Sequence, residues 1–199
     1  MSHFSCVLVG NESLLIQCAE QLLRAGDRIA AVVTRQPDIR TWALGQGLRV
    51  EKPGADLAER LNGLSFDWLF SIANLTVIPQ AVLNQAQRGA INFHDGPLPR
   101  HAGLNAPVWA ILQQEKQHGI TWHMIEGGID EGDIVQQRLF DMAPGETALT
   151  LNTRCYEAAI DSFGDLLNDL HGTGPQRRKQ DLSQRSYHAR LDRPAGGAR

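Results

Sequence analysis

Cysteine is scarce: Cys6, Cys18 and Cys155 are the three in 199 residues. They are odd in number, far apart and flanked by apolar neighbours, so neither a disulfide framework nor a thiolate metal site is expected. Reduced thiols packed as small hydrophobes are the expectation instead. Long apolar runs are missing too. The longest span five residues, 29–33 and 108–112, against about 20 for a membrane-crossing helix. A net charge of −3 leaves no global field to hold a nucleic-acid backbone. No membrane and no nucleic-acid partner is therefore expected. The first six residues carry neither a basic stretch nor a small-residue cleavage site, and a cytoplasmic location is expected. Nucleotide fingerprints are absent as well. The first strand is followed by Gly10-Asn11-Glu12-Ser13 rather than G-x-G-x-x-G, and no G-x-x-x-x-G-K-[ST] or G-x-S-x-G occurs. A bound dinucleotide, a P-loop and a serine nucleophile have no support.

What is present is alternation. Residues 4–9 form a short β-rich run, and Ser13 can cap a helix with Leu14, Leu15, Cys18, Leu22 and Leu23 on one face, stopped by Gly26. Residues 29–33 read as a strand buried on both faces. Helices are expected at 39–48 and 55–61, a strand at 66–72, a helix with Pro79 in its first position, and a strand at 90–93. Strands alternating with helices predict an α/β domain with a Rossmann-like, doubly wound, mainly parallel sheet. Residues 94–106 then form a Gly- and Pro-stiffened loop. A helix from Trp109 to about 117, strands at 120–125 and 134–140, and a long helix from Thr147 follow, the last with Leu149, Leu151, Tyr156, Ile160, Phe163, Leu166 and Leu167 inward. Residues 172–199 hold seven Lys or Arg against two Asp. Their hydrophobic pattern fades, so a solvated basic tail or linker, or the start of a further subdomain, is expected after a catalytic domain spanning 1–171.

Chemistry is expected at the carboxyl ends of the strands. The strand at 90–93 delivers Asn92 and then His94, which period two puts on one face. An amide beside an imidazole pairs a donor with a proton shuttle, or the two simply tie down the following loop. The acidic, Gly-rich turn at 126–133 is either a solvated connection or the source of a carboxylate that orients His94. Asp130-Glu131-Gly132-Asp133 lacks the alternating ligand spacing of a calcium loop. No metal is expected.

Three separated pieces carry a resemblance: the run 89–100 with Asn92-Phe93-His94-Asp95-Gly96-Pro97-Leu98-Pro99, the run 118–123 with Gly119-Ile120-Thr121-Trp122-His123, and Asp130-Glu131-Gly132-Asp133-Ile134. In this order they resemble the 10-formyltetrahydrofolate-dependent formyltransferase family. The likeness extends from residue 4 to about 170. It implies a catalytic Asn92, His94 and Asp130, with a folate pocket lined by Thr76, Val77 and Ile78 and by Glu126, Gly127, Gly128 and Ile129. It also implies that Leu98-Pro99 is cis, and it leaves His101, His118 and His123 as structural, with His123 facing the folate turn as a lesser reading.

Within that family, residues 4–20 and the run Asn92–Pro99 with Gly103-Leu104-Asn105-Ala106 are most similar to the formylation domains that open nonribosomal peptide synthetases. The implied reaction moves a formyl group from 10-formyltetrahydrofolate to the α-amine of an aminoacyl group on a phosphopantetheine carrier domain, with an adenylation domain adjacent. Amino-sugar nucleotides and hydroxyornithine siderophore precursors are alternative acceptors, and hydrolysis of the folate is an alternative outcome. Full-length tRNA relatives continue into a further domain, and Arg185-Ser186-Tyr187 with Arg193-Pro194 resembles its beginning. The resemblance thus implies a domain of a longer protein.

Overall fold

The computed structural model of the protein describes residues 3–192. In chain order the elements are β1 (Ser5–Val9), α1 (Leu14–Ala25), β2 (Arg28–Val33), α2 (Pro37–Gly45), β3 (Val50–Glu51), α3 (Leu57–Leu61), β4 (Phe66–Ser71), α4 (Gln80–Leu83), β5 (Ala86–His94), β6 (Ala102–Gly103), α5 (Ala106–Leu112), β7 (Gln117–Met124), β8 (Ile134–Asp141), α6 (Ala148–His171) and β9 (Tyr187–His188). The described residues divide into two compact units, one of residues 3–93 and 163–175 and one of residues 94–162 and 176–192.

The first unit is built on a parallel sheet in the order β3-β2-β1-β4-β5. The chain steps outward from β1 to β3, then returns to β4 beside β1. With right-handed crossovers that reversal sends the two sets of helices to opposite faces, the expected double winding. The strands are apolar on both sides, and Cys6, Val7, Leu8, Ala31, Val32, Leu69 and Phe70 are fully buried. Gly10 ends β1 where a Cβ would lie 2.0 Å from the Ile72 carbonyl oxygen, so only glycine lets the two chains approach. Gly26 closes α1 in the left-handed conformation (φ 86°) and returns its amide to the last helical turn. Ser13, expected as a cap, is itself helical and makes no capping bond. The end of α6 supplies Phe163, whose ring meets that of Phe70 edge-on at 5.5 Å.

Several boundaries differ from expectation. The helix expected at 39–48 runs from Pro37 and ends at Gly45, because Gly47 (φ 71°) turns the chain into β3. Pro79 precedes α4 in extended conformation instead of opening it.

In the second unit β7 and β8 form an antiparallel hairpin and β6 pairs in parallel with β9. The helix expected from Trp109 to 117 is displaced: α5 starts at Ala106 and stops at Leu112, and Gln114 (φ 52°) turns the chain toward β7. Leu149, expected inward on the last helix, is 76% exposed. The stretch beyond 172 also differs from a solvated tail over residues 176–192. Arg178 exchanges two 2.8 Å backbone bonds with Ile134, and His188 is buried with its ring stacked 4.3 Å from that of Trp109. It docks through backbone pairing and polar side chains, which leave no apolar periodicity to read. Arg193-Pro194 lies outside the described residues. All three cysteines are buried and free. No helix among the described residues is long and apolar enough to cross a membrane.

Candidate active site

His94 ends β5 and is 5% exposed. Its Nε2 donates to the His101 carbonyl at 2.8 Å. A carbonyl only accepts, so Nε2 carries a hydrogen and Nδ1 is the nitrogen that faces acid. Nδ1 lies 3.6 Å from Asp130 Oδ2 and 4.0 Å from Asp95. Room for the ring comes from Gly96, where a Cβ would stand 2.8 Å from Nε2.

Asp130 is held from three sides. The Gly103 amide donates to Oδ2 at 2.8 Å, His94 lies beside that same oxygen, and His123 Nε2 stands 3.3 Å from Oδ1. Burial opposes the carboxylate's charge, but the His123 hydrogen bond, the two imidazoles and the Gly103 amide outweigh it and hold its pKa at about 2. Asp130 is therefore an anion between two imidazoles, each presenting a ring nitrogen to one of its oxygens.

The motif around His123 has a physical basis in each residue. Gly119 lets the neighbouring strand approach, since a Cβ there would lie 2.2 Å from the Arg138 carbonyl oxygen. Thr121 Oγ1 donates to the Gly96 carbonyl at 2.7 Å and accepts the Leu98 amide at 3.1 Å, fixing the loop beside the cis Leu98-Pro99 bond. His123 follows on the same face and turns Nδ1 to the Met124 carbonyl at 2.8 Å, which aims Nε2 at Asp130. Period two from Thr121 was the signal that could have promoted His123 from a structural role. His101 and His118 do not touch Asp130. Burial lowers both, His118 to about 4.

Asn92 lies two residues before His94 in β5, in register with Ser71 of β4. Thr76, Val77 and Ile78 lie in the first unit, between β4 and α4. The Asn74 side chain binds both the amide (3.1 Å) and the carbonyl (2.8 Å) of Thr76, and Val77 is left 79% exposed. In the second unit, Glu126, Gly127, Gly128 and Ile129 lead into Asp130. Glu126 pairs with Arg177, Gly127 takes φ 70°, the Gly128 amide donates to Glu131 at 3.2 Å, and Ile129 is 52% exposed. Among the described residues one group has metal-ligand spacing, His3, Asp27 and His171 in the first unit. Asp27 there accepts the Phe4 amide and His171 Nε2, which accounts for its burial.

The family model described as formyl transferase matches residues 49–164. The chain is 28% identical to the methionyl-tRNA formyltransferase of Solibacter usitatus over 96% of its length and 66% of that protein's. It is 28% identical to that of Anaeromyxobacter dehalogenans, over 94% and 65%. The chain thus spans just under two thirds of these relatives. Among solved structures, an N-formyltransferase from Helicobacter canadensis in complex with folinic acid and dTDP-3-aminofucose aligns with a TM-score of 0.80 at 20% identity, over 97% of this chain and 73% of that one. Glycinamide ribonucleotide transformylase 1 from Symbiobacterium toebii aligns with a TM-score of 0.78 at 21% identity, over 90% and 95%. The strand-end His94 and the Asp130 turn that faces it thus lie inside the matched span, and the chain belongs to the formyl transferase family.

Proposed function

We propose that this chain transfers the formyl group of 10-formyltetrahydrofolate to an amine, with Asn92, His94 and Asp130 at the reacting atoms. The observation that carries the reading is the buried His94 with the largely buried Asp130 side chain 3.6 Å from it, inside the family match. The amine nitrogen attacks the formyl carbon and a tetrahedral intermediate places negative charge on the former carbonyl oxygen. The Asn92 amide and the protonated His94 ring stabilise that oxyanion, the dominant contribution in acyl transfer. His94 gives its proton to N10 of the folate as the C–N10 bond breaks and takes up the proton lost by the amine, so the ring ends as it began. Asp130 keeps the ring oriented and offsets its charge. Thr76, Val77 and Ile78 and the run Glu126–Ile129 contact the folate, and no metal takes part.

The acceptor we propose is the α-amine of an aminoacyl group on a carrier domain. The likeness of residues 4–20 and 92–106 to synthetase formylation domains supports it, and methionyl-tRNA relatives share the aminoacyl class. The test supplies 10-formyltetrahydrofolate with an aminoacyl carrier, a methionyl-tRNA, a dTDP-amino sugar, hydroxyornithine or water alone. Fastest turnover on the aminoacyl carrier is expected, and faster turnover on any other overturns this acceptor. His94→Ala and Asp130→Asn are each expected to lower kcat about 10²–10⁴-fold with folate affinity retained. Wild-type kcat in either variant overturns that residue's role.

A further inference from the structure

The residues that orient Asp130 and His94 are themselves gripped by one segment about 50 residues later in the chain. Gln180 Nε2 donates both its hydrogens to this turn, to the Asp130 carbonyl at 2.9 Å and to the Gly132 carbonyl at 2.7 Å. Arg185 donates to the Ile129 carbonyl at 3.0 Å. Arg177 joins Glu126 to Asp133 across the turn's two ends. Asp130 sits at φ 56°, in the left-handed region that L-residues other than asparagine, aspartate and histidine seldom enter, and these donors bind the carbonyls on either side of that turn.

The same segment grips the other side of the site. Ser186 Oγ accepts the His101 amide at 2.7 Å, and the Ser186 and His188 carbonyls accept the Ala102 and Leu104 amides, each at 2.9 Å. This is the stretch whose His101 carbonyl binds His94 Nε2 and whose Gly103 amide binds Asp130 Oδ2. Both partners of the catalytic pair therefore have their second contact fixed by residues 177–188.

We propose that residues 177–188 form a strap that sets the His94–Asp130 geometry, with Gln180 and Ser186 as positioning residues, an inference that rests on the formyl-transfer reading above. It removes this segment from the category of linker. Acyl transfer depends steeply on alignment, and a displacement of about 1 Å can cost about 10²-fold.

The experiment uses the full chain with 10-formyltetrahydrofolate and an aminoacyl carrier, and records kcat, KM and the ring ¹⁵N shifts of His94. Gln180→Glu keeps the shape and replaces both donors with acceptors facing two carbonyls. It is expected to lower kcat about 10–10²-fold, to change KM for the folate less than about twofold, and to move the His94 ring signals. Gln180→Lys, which restores donors, is expected to recover kcat to within about threefold of wild type. Ser186→Ala, a smaller change should Gln180→Glu fold poorly, is expected to lower kcat severalfold with the same unchanged KM. Unchanged kcat and His94 signals in both variants, or kcat and KM failing together, overturn the strap. Wild type and Asp130→Asn measured alongside separate the two ideas: no formyl transfer by the wild type removes the formyl-transfer reading itself, and wild-type kcat in Asp130→Asn removes Asp130's role in it, whereas failure of the strap variants to respond removes only the strap.

Discussion

The two units bury different things. The first buries its strands as continuous apolar runs, with Asp27, Thr34, Ser71 and His171 as its buried polar residues among those described. The second contains five of the chain's seven histidines, His94, His101, His118, His123 and His188, and all five are buried. A buried polar ring must find partners or lose more than it gains. Here the partners are backbone carbonyls, a carboxylate and one another: His101 Nδ1 lies 3.3 Å from His188 Nε2, and His118 Nε2 donates to the Asp95 carbonyl at 2.9 Å. Both units remove apolar area from water, the second through Ile120, Trp122 and Leu151 among others, but the second adds a set of buried imidazoles that depend on particular hydrogen-bond partners. The first tolerates apolar exchange of equal volume; the second does not tolerate exchange of a donor for an acceptor.

The largest effect expected from this contrast lies in the apolar unit. Phe70 is fully buried and packs edge-on against Phe163. Phe70→Ala is expected to lower stability by about 3–5 kcal/mol, from lost transfer energy and the cavity left behind. Because the loss is one of area, Phe70→Leu is expected to recover most of it. Urea unfolding of both variants checks this. A polar residue of similar size that served as well as leucine would break the comparison.

A smaller effect, visible only in acid, belongs to the polar unit. Burial lowers the His118 pKa from 6.5 to about 4 and also lowers His101 and His188. The unfolded chain therefore takes up a proton at His118 between those pH values while the folded chain does not. Stability is full above pH 6.5 and falls as the pH drops toward 4. His118→Gln keeps a donor for the Asp95 carbonyl and removes the titration. Wild type is expected to lose about 3 kcal/mol more than this variant between pH 7.5 and 4. Equal losses, measured by urea unfolding at each pH, would show that the second unit's histidines are not what acid attacks.

The same contrast explains what could be read from the residues. The strands of the first unit announce themselves, since residues 29–33 and 66–72 are apolar runs bounded by turns and lie at β2 and β4. His94 and Asp130 stand out as site candidates because each sits in a short motif whose order, with the run 118–123, carries the family resemblance. His123 reads as structural, because a histidine within a buried strand gives no local sign of what it faces. Gln180 and Ser186 were not legible at all. Each acts through a backbone group far away in sequence, Asp130 and Gly132 for one and His101 for the other. Neither periodicity nor motif spacing records such a bond. Only the fold brings Gln180 to the carbonyls of the left-handed Asp130 turn.

The smallest expected effect sharpens the comparison from the exposed side. Val77 lies in the first unit, the one held together by apolar burial, yet it is 79% exposed and contributes little to that burial. Asn74 closes the loop around Thr76 by hydrogen bonds that do not involve the Val77 side chain. Val77→Ser is therefore expected to change stability by no more than about 0.5 kcal/mol. If Val77 lines the folate pocket, its methyl groups are covered only when 10-formyltetrahydrofolate is bound. Covering them is worth about 1 kcal/mol, which Val77→Ser would forfeit in ground state and transition state alike. The expected kinetic signature is a KM for the folate raised about fivefold, with kcat unchanged. An unaltered KM withdraws Val77 from the pocket, and a lowered kcat would mean that the loop acts on the chemistry rather than on binding.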